Sequence, residues 1–129
     1  IEHPDWVAMQ TRPEDLEGSN EISLRDLVKQ ALRMRPARLA IGEVRGPEAL
    51  DMLVALNSGI PGLCTIHANS ASAALQKLLT LPLLAGENIT DSFLRPTVKG
   101  AFQLVAFCHR DDQGNRRVKE LLEVKDALS

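Results

Sequence analysis

The 129-residue sequence predicts an α/β fold on a partly parallel open sheet, with flanking helices and a C-terminal antiparallel hairpin. Two short apolar runs, residues 39–44 and 63–66, indicate buried strands, and a helical pattern follows each of them. Strands that alternate with helices favour a parallel sheet. Turn residues between the apolar segments 102–108 and 118–124 predict the hairpin. Together these observations predict one α/β unit.

The N-terminal third is expected to hold a short strand, a polar loop and a helix. Residues 7–11 are the candidate strand, and residues 12–20 form the loop. Ser23 and Asp26 have the Ser-x-x-Asp form of a capping box, and apolar residues recur at helical spacing beyond them. A helix over residues 23–34 is therefore predicted, and it ends before Pro36 because the residue preceding a proline avoids the helical region.

Three further helices and the hairpin complete the predicted order. Pro47 stands where the first residue of a helix is expected, and this helix continues to residues 58–59. The third helix follows the second strand and stops at Pro82. Residues 90–101 are expected to be helical around Pro96. The two strands of the hairpin are expected to form an antiparallel edge of the same sheet.

Composition excludes several classes of function. The formal net charge of -2 gives no field that favours nucleic acid or an anionic membrane, and aromatic residues make up only 3%, which disfavours base stacking. No apolar stretch approaches the roughly 20 residues that span a bilayer. Cys64 and Cys108 lie in apolar runs and are predicted to be buried, reduced thiols. Because the sequence opens at Ile1 without Met, we expect it to be an excised segment.

Two ionisable residues stand at the carboxyl ends of the predicted strands, where parallel α/β sheets bind ligands. Glu43 follows the first strand, and a carboxylate there can hold a metal ion through water or polarise an attacking water. His67 follows the second strand and can contact the terminal phosphate of a nucleotide. Arg45 and Arg33 are candidate phosphate contacts, because guanidinium donors fit phosphate oxygens. Spacing alone leaves plainer alternatives open, in which these groups are a solvated loop, a structural histidine and a basic helix end.

Two patterns in the sequence suggest metal sites as alternatives. Cys64 and His67, with Cys108 and His109, raise the possibility of zinc, but adjacent residues of a strand point to opposite faces and can hardly serve one site. Residues 111–115 lack the twelve-residue loop and the terminal glutamate of a calcium motif. A hairpin turn is expected at residues 111–115. Neither a zinc site nor a calcium site is expected.

Residues 32–49, centred on Gly-Glu-Val-Arg at positions 42–45, closely resemble the Walker B region of the secretion traffic ATPases. Those hexameric motors drive type II and type IV secretion, type IV pili and the tight-adherence pilus. Residues 65–70, Thr-Ile-His-Ala-Asn-Ser, resemble the histidine box of the same family and lie at the expected distance. Residues 11–13 and 24–27 are similar to the branch shared by tight-adherence and type IV secretion motors. The resemblance covers nearly the whole chain.

This resemblance implies a partial P-loop NTPase (RecA-like) fold and a role for each residue at a matching position. Glu43 would be the Walker B carboxylate that acts on Mg²⁺ and its waters. His67 would lie near the terminal phosphate and couple the nucleotide state to movement between subunits. Thr65, Arg33 and Arg45 would contribute to nucleotide binding, with either arginine able to act across a subunit interface.

One motif of such enzymes is absent from the sequence, which contains no Gly-x-x-x-x-Gly-Lys-Ser/Thr loop. We therefore expect residues 1–129 to be the C-terminal portion of an ATPase motor domain and to be inactive alone. The resemblance implies a parent that uses ATP and Mg²⁺ and assembles as a hexamer. That parent would dock on inner-membrane secretion or pilus platform proteins from the cytoplasmic side. It would bind no nucleic acid and would not insert into the membrane.

Two other functions remain open at this point. The chain can instead be a non-catalytic interaction module that docks on a secretion or pilus motor. It can also belong to another P-loop branch, such as a recombinase-like or helicase-like ATPase, although the pairing of Gly-Glu-Val-Arg with the histidine box weighs against this.

Overall fold

The structure is a computed structural model that describes residues 2–86 and 88–129. Helices and strands alternate first, and a hairpin follows them, as predicted. Their order is α1 (Leu24–Arg33), β1 (Leu39–Ile41), α2 (Glu48–Asn57), β2 (Gly62–Cys64), α3 (Ala71–Thr80), a 3-10 helix (Leu81–Ala85), α4 (Asp91–Ala101), β3 (Leu104–Arg110), β4 (Arg116–Glu123) and α5 (Val124–Ala127).

Helix α1 begins at the predicted capping box. The Ser23 hydroxyl accepts a hydrogen bond from the Asp26 N–H at 3.1 Å, and the Asp26 carboxylate accepts one from the Ser23 N–H at 3.0 Å. Val28 is buried, and the Arg25 guanidinium bonds the Asp51 carboxylate of α2 at 2.7 Å. The prediction of a helix over residues 23–34 is confirmed, and the partly buried ion pair connects α1 to α2.

Helix α2 is the centre of the core. Met52, Leu53 and Ala55 are each at most 1% exposed, and α2 contacts α1, α4 and the 3-10 helix. Full burial of a large apolar side chain contributes on the order of 1.5–3 kcal/mol, so these contacts hold α2 firmly. The turn that leads into α2 therefore has a rigid support. Within the part of the chain that the structure describes, no helix is both long and apolar enough to cross a membrane.

Strands β1 and β2 form a parallel pair in which Ile41 lies opposite Cys64. Both are shorter than predicted, because residues 42–44 and residue 65 leave the regular ladder to bond across the strand ends. The Val44 N–H still donates to the Thr65 carbonyl at 2.9 Å, and the Thr65 N–H donates to the Ile41 carbonyl at 3.3 Å. The carboxyl ends of the two strands thus lie side by side.

The C-terminal hairpin is a separate two-stranded sheet. The expectation that it forms an edge of the β1–β2 sheet is therefore wrong for the described residues, although the antiparallel pairing itself is confirmed. One face packs on α3, and the opposite face carries Leu104, Val118 and Leu121, which are all exposed. Cys108 shares that outer face, so the prediction that it is buried is wrong, whereas Cys64 is partly buried.

Residues 7–11 do not form the predicted strand, and that prediction is wrong. They are exposed, and the nearest strand-like pairing is a single antiparallel bridge between Arg12 and Ile22 that closes the polar loop. An alternation of apolar and polar residues makes a strand only when another strand is available to pair with it. Among the described residues, no strand lies against this segment.

Candidate functional site

Glu43 and Arg45 lie beyond the carboxyl end of β1, on the turn that leads to α2. Their side chains form an ion pair, with 3.0 Å between Arg45 Nη2 and Glu43 Oε2. Both remain accessible, with the Glu43 side chain 42% and the Arg45 side chain 78% exposed. They line an open cleft of about 490 Å³ whose other walls come from Met9, Gln10, Thr11, Leu24, Leu27, Gly42 and Glu48. An accessible carboxylate and guanidinium at a cleft can meet a polar ligand.

Thr65 ties the ends of the two strands together. Its hydroxyl donates a hydrogen bond to the Gly42 carbonyl, directly before Glu43. Its own carbonyl accepts from the Val44 N–H at 2.9 Å, directly after Glu43. Thr65 therefore holds the backbone on both sides of the carboxylate, although its side chain does not line the cleft.

His67 lies at the same edge of the sheet, three residues after the end of β2. It is exposed, and its carbonyl accepts a hydrogen bond from the Lys77 ammonium of α3 at 2.5 Å. No hydrogen bond or ion pair to its imidazole is present among residues 2–86 and 88–129, and His67 is not part of the lining of the cleft. The structure thus places Glu43 and His67 on adjacent strand ends, with the imidazole available to a ligand.

Arg33 lies away from this cleft. It is exposed in the last turn of α1, whereas Leu24 at the first turn lines the cleft. Ten helical residues at 1.5 Å each separate the two ends of α1 by roughly 15 Å. Within one copy of the chain, the structure does not bring Arg33 together with Glu43.

Two residues that the sequence analysis missed support the segment after β2. The Ser70 hydroxyl accepts from the Ala73 N–H at 3.0 Å and caps α3. Glu120 of β4 accepts from the Ala71 N–H at 3.1 Å, so the hairpin supplies a second acceptor at the same helix end. Ser70 was recognisable as an N-cap residue from the sequence. The approach of Glu120 depends on tertiary structure and carries no local signal.

Glu48 was also missed, although it is the first residue of α2 and borders the cleft. It is 7% exposed, and Glu48 Oε1 accepts hydrogen bonds from the N–H groups of Arg45 at 2.8 Å and Gly46 at 2.9 Å. An acidic residue directly after proline at the start of a helix was the signal that could have found it.

The thiol of Cys64 lies directly before Thr65 and is not a candidate nucleophile. Burial raises its pKa to about 11, because desolvation disfavours the thiolate. Among the described residues, no group of three or more His, Cys, Asp or Glu side chains is arranged to hold a metal ion. A single accessible carboxylate fits Mg²⁺, which keeps most of its waters and takes few protein ligands.

A family model of type II/IV secretion system proteins matches residues 2–128. The chain belongs to this family. A Mycobacterium tuberculosis protein named for conjugal transfer is 38% identical over 97% of the chain and 35% of its own length. The type IV secretion system protein PtlH of Bordetella pertussis is 41% identical over 74% of the chain and 30% of its own length. The chain thus spans about a third of the length of the relatives that it matches.

A solved structure supports the assignment of the fold. The crystal structure of the VirB11 ATPase from the Brucella suis type IV secretion system, in complex with sulphate, matches with a TM-score of 0.73 and 24% identity. The match covers 83% of this chain and 34% of that protein. At this level of identity it is the fold that is shared, and the predicted α/β class with its parallel strands and C-terminal hairpin is confirmed.

Proposed function

We propose that residues 1–129 are the C-terminal portion of the motor domain of a secretion ATPase and supply the Walker B and histidine-box side of its nucleotide site. The observation that carries this proposal is the pairing of β1 with β2, which sets Glu43 and the histidine box on neighbouring strand ends. Thr65 connects the two strand ends through both its hydroxyl and its carbonyl. Membership of the type II/IV secretion system family supports the same reading.

Each residue of the site has a role in this proposal. Glu43 acts on Mg²⁺ through its bound waters, and Arg45 balances the carboxylate and can turn toward phosphate oxygens. Thr65 holds the turn at the nucleotide, and His67 contacts the terminal phosphate with its accessible imidazole. Arg33, which is exposed and distant within one copy, contacts nucleotide bound to a neighbouring subunit.

The intact parent hydrolyses ATP with Mg²⁺ in this proposal, and the ion stabilises negative charge on the transferring phosphoryl group. The parent assembles as a hexamer and acts on secretion or pilus platform proteins at the cytoplasmic face of the inner membrane. Residues 1–129 alone bind ATP weakly and do not hydrolyse it at a measurable rate. The reason is that the sequence holds no Gly-x-x-x-x-Gly-Lys-Ser/Thr loop to cradle the phosphates.

Titration of the ¹⁵N-labelled chain with MgATP tests the proposal. We expect amide shifts at Glu43, Arg45, Thr65 and His67 at millimolar nucleotide, and no phosphate release above the blank. Glu43→Gln should weaken the Mg²⁺-dependent part of these shifts. The control is Glu123→Gln, which neutralises an exposed glutamate at the end of β4. Unchanged amides at all four positions, or Mg²⁺-dependent turnover that Glu43→Gln abolishes, would count against the proposal as stated.

The hairpin favours a second candidate function, a non-catalytic interaction module. On its outer face Ala106 lies opposite Leu121 and Cys108 opposite Val118, and all four residues are exposed. An apolar sheet face of this kind is typical of protein contacts. The same titration separates the two candidates, because a pure interaction module leaves the amides around Glu43 and His67 unchanged by MgATP.

A further inference from the structure

Glu48 is a buried carboxylate to which the proposed nucleotide chemistry assigns no role. Among residues 2–86 and 88–129 it is the one charged residue that is buried, with 7% of its surface exposed. Burial of a carboxylate is unfavourable unless hydrogen bonds replace its lost water. Its contacts therefore indicate why the fold keeps it there.

The contacts of Glu48 are made to the backbone of the turn that carries Glu43 and Arg45. Glu48 Oε1 accepts from the Arg45 N–H at 2.8 Å and from the Gly46 N–H at 2.9 Å. Both distances fall in the range of charge-assisted hydrogen bonds. The carboxylate also stands at the N-terminus of α2, where the helix dipole favours negative charge. These interactions offset the unfavourable free energy of burying the carboxylate.

Gly46 shows how closely the carboxylate approaches the turn. A Cβ atom at position 46 would lie 2.9 Å from Glu48 Oε2, which is closer than unbonded heavy atoms of this kind approach. The absence of a side chain at Gly46 is therefore what allows the carboxylate to lie against the backbone. This close approach agrees with the hydrogen bonds from the Arg45 and Gly46 N–H groups.

Asp51, one helical turn further along α2, provides the contrast. Its carboxylate pairs with the Arg25 guanidinium at 2.7 Å and lies 4.0 Å from the Lys29 ammonium, both on α1. Asp51 thus joins two helices. Glu48 instead bonds the backbone within three residues of itself, so its bonds shape the turn.

We propose that Glu48 is a positioning residue that fixes the turn at residues 43–46 and thereby aims the Glu43 carboxylate and the Arg45 guanidinium into the cleft. The role assigned to Glu43 rests on the proposed nucleotide function, whereas the effect on the turn does not. The turn is then held from two directions, by Thr65 of the histidine box and by Glu48 of α2.

Four substitutions separate positioning from simple packing. Glu48→Gln keeps the shape and an acceptor oxygen, so both backbone bonds persist in a neutral form. Glu48→Met fills the same volume without an acceptor. Gly46→Ala leaves Glu48 in place but displaces its carboxylate by crowding. Asp51→Asn is the matched control, because it neutralises an acid of the same helix that does not touch the turn.

Amide spectra of the 129-residue chain give the first readout. The Arg45 and Gly46 amide protons should be shifted downfield in the wild type, move partly upfield in Glu48→Gln, and lose their distinctive shifts in Glu48→Met. In Gly46→Ala, where residue 46 is itself changed, the Arg45 amide should lose its distinctive shift. Asp51→Asn should leave them in place. If Glu48→Met fails to fold, Gly46→Ala still decides the question. An unchanged Arg45 amide in both of these variants would refute the proposal.

Paramagnetic broadening by MnATP gives the second readout. We expect broadening at the Glu43 amide in the wild type, in Glu48→Gln and in Asp51→Asn. Glu48→Met and Gly46→Ala should require about fivefold more MnATP for the same broadening. Equal broadening in all variants would overturn the positioning role. Absence of broadening in the wild type would instead remove the nucleotide function, and the amide shifts alone would then decide the role of Glu48.

Discussion

The turn after β1 and the segment after β2 leave the same edge of the sheet, yet they are held very differently. Around Glu43 the backbone is bonded by the Thr65 hydroxyl, the Thr65 carbonyl and the Glu48 carboxylate. Among the described residues, the one hydrogen bond to the His67 backbone comes from the Lys77 ammonium, whose side chain is long and exposed. The backbone around Glu43 thus has several hydrogen bonds from two other elements, whereas the backbone at His67 has one from a flexible side chain.

This difference matches two kinds of task. A carboxylate that orders waters around a cation works best when its position is set before the ligand arrives. A histidine that responds to the presence of a phosphate has to differ between the bound and free states, and a loosely held imidazole can do so. The contrast therefore supports a fixed role for Glu43 and a responsive role for His67 in the proposed site.

Gly62→Ala should have the largest effect, because it forces β1 and β2 apart and so disturbs both strand ends. A Cβ atom at Gly62 would lie 2.5 Å from the Leu39 carbonyl oxygen and 2.7 Å from Leu56 Cδ2. Backbone cannot yield cheaply, so we expect a loss of about 2–3 kcal/mol in the free energy of unfolding, measured by urea denaturation. Gly42→Ala is the control, because nothing lies within 4 Å of its added Cβ. Similar losses in the two variants would show that the close strand contact is not the cause.

Alkylation of Cys64 should show whether β2 is held as firmly as the turn that carries Glu43. Burial raises the pKa of its thiol from the ordinary 9.0 to about 11, so below pH 9 its thiolate population is about a hundredfold smaller than that of a free cysteine. We expect iodoacetamide, followed by mass spectrometry, to modify the exposed Cys108 first and Cys64 only slowly. Equal rates at both thiols would show that β2 opens readily and does not protect Cys64.

Thr65→Val should have the smallest effect and tests the connection between the two regions. The substitution removes the hydroxyl that donates to the Gly42 carbonyl and keeps the β-branched shape. We expect a loss of about 1 kcal/mol in the free energy of unfolding, since Thr65 is largely exposed. Thr65→Ser retains the hydroxyl and should recover most of this stability. If valine and serine behave alike, the hydroxyl does not hold the turn.

The features predicted correctly from the sequence are those with local causes. Helix α1 follows from Ser23 and Asp26, which cap it through their own neighbours. The turn of the hairpin follows from Asp111, whose carboxylate accepts from the N–H groups of Gln113 and Asn115. The pKa of the Asp111 carboxyl is lowered, mainly by the hydrogen bond from the Arg117 side chain and to a smaller extent by the one from the Asn115 N–H.

The features that were missed have causes distant in the sequence. Residues 7–11 have the composition of a strand, but no strand lies beside them among the described residues. Strand β1 ends early because Gly42 and Val44 bond Thr65, more than twenty positions away. The burial of Glu48 and the approach of Glu120 to the start of α3 depend on packing that no local pattern records. The position of Arg33 relative to the cleft depends on the direction in which α1 runs.

The close approach between Gly46 and Glu48 also restricts how this stretch can change over generations. A larger residue at position 46 meets the Glu48 carboxylate at 2.9 Å, so this side chain has to move away from the turn or be replaced. Loss of the acid in turn leaves the amides of Arg45 and Gly46 without their acceptor. Homologous sequences should therefore tend to keep glycine and glutamate at these two positions as a pair.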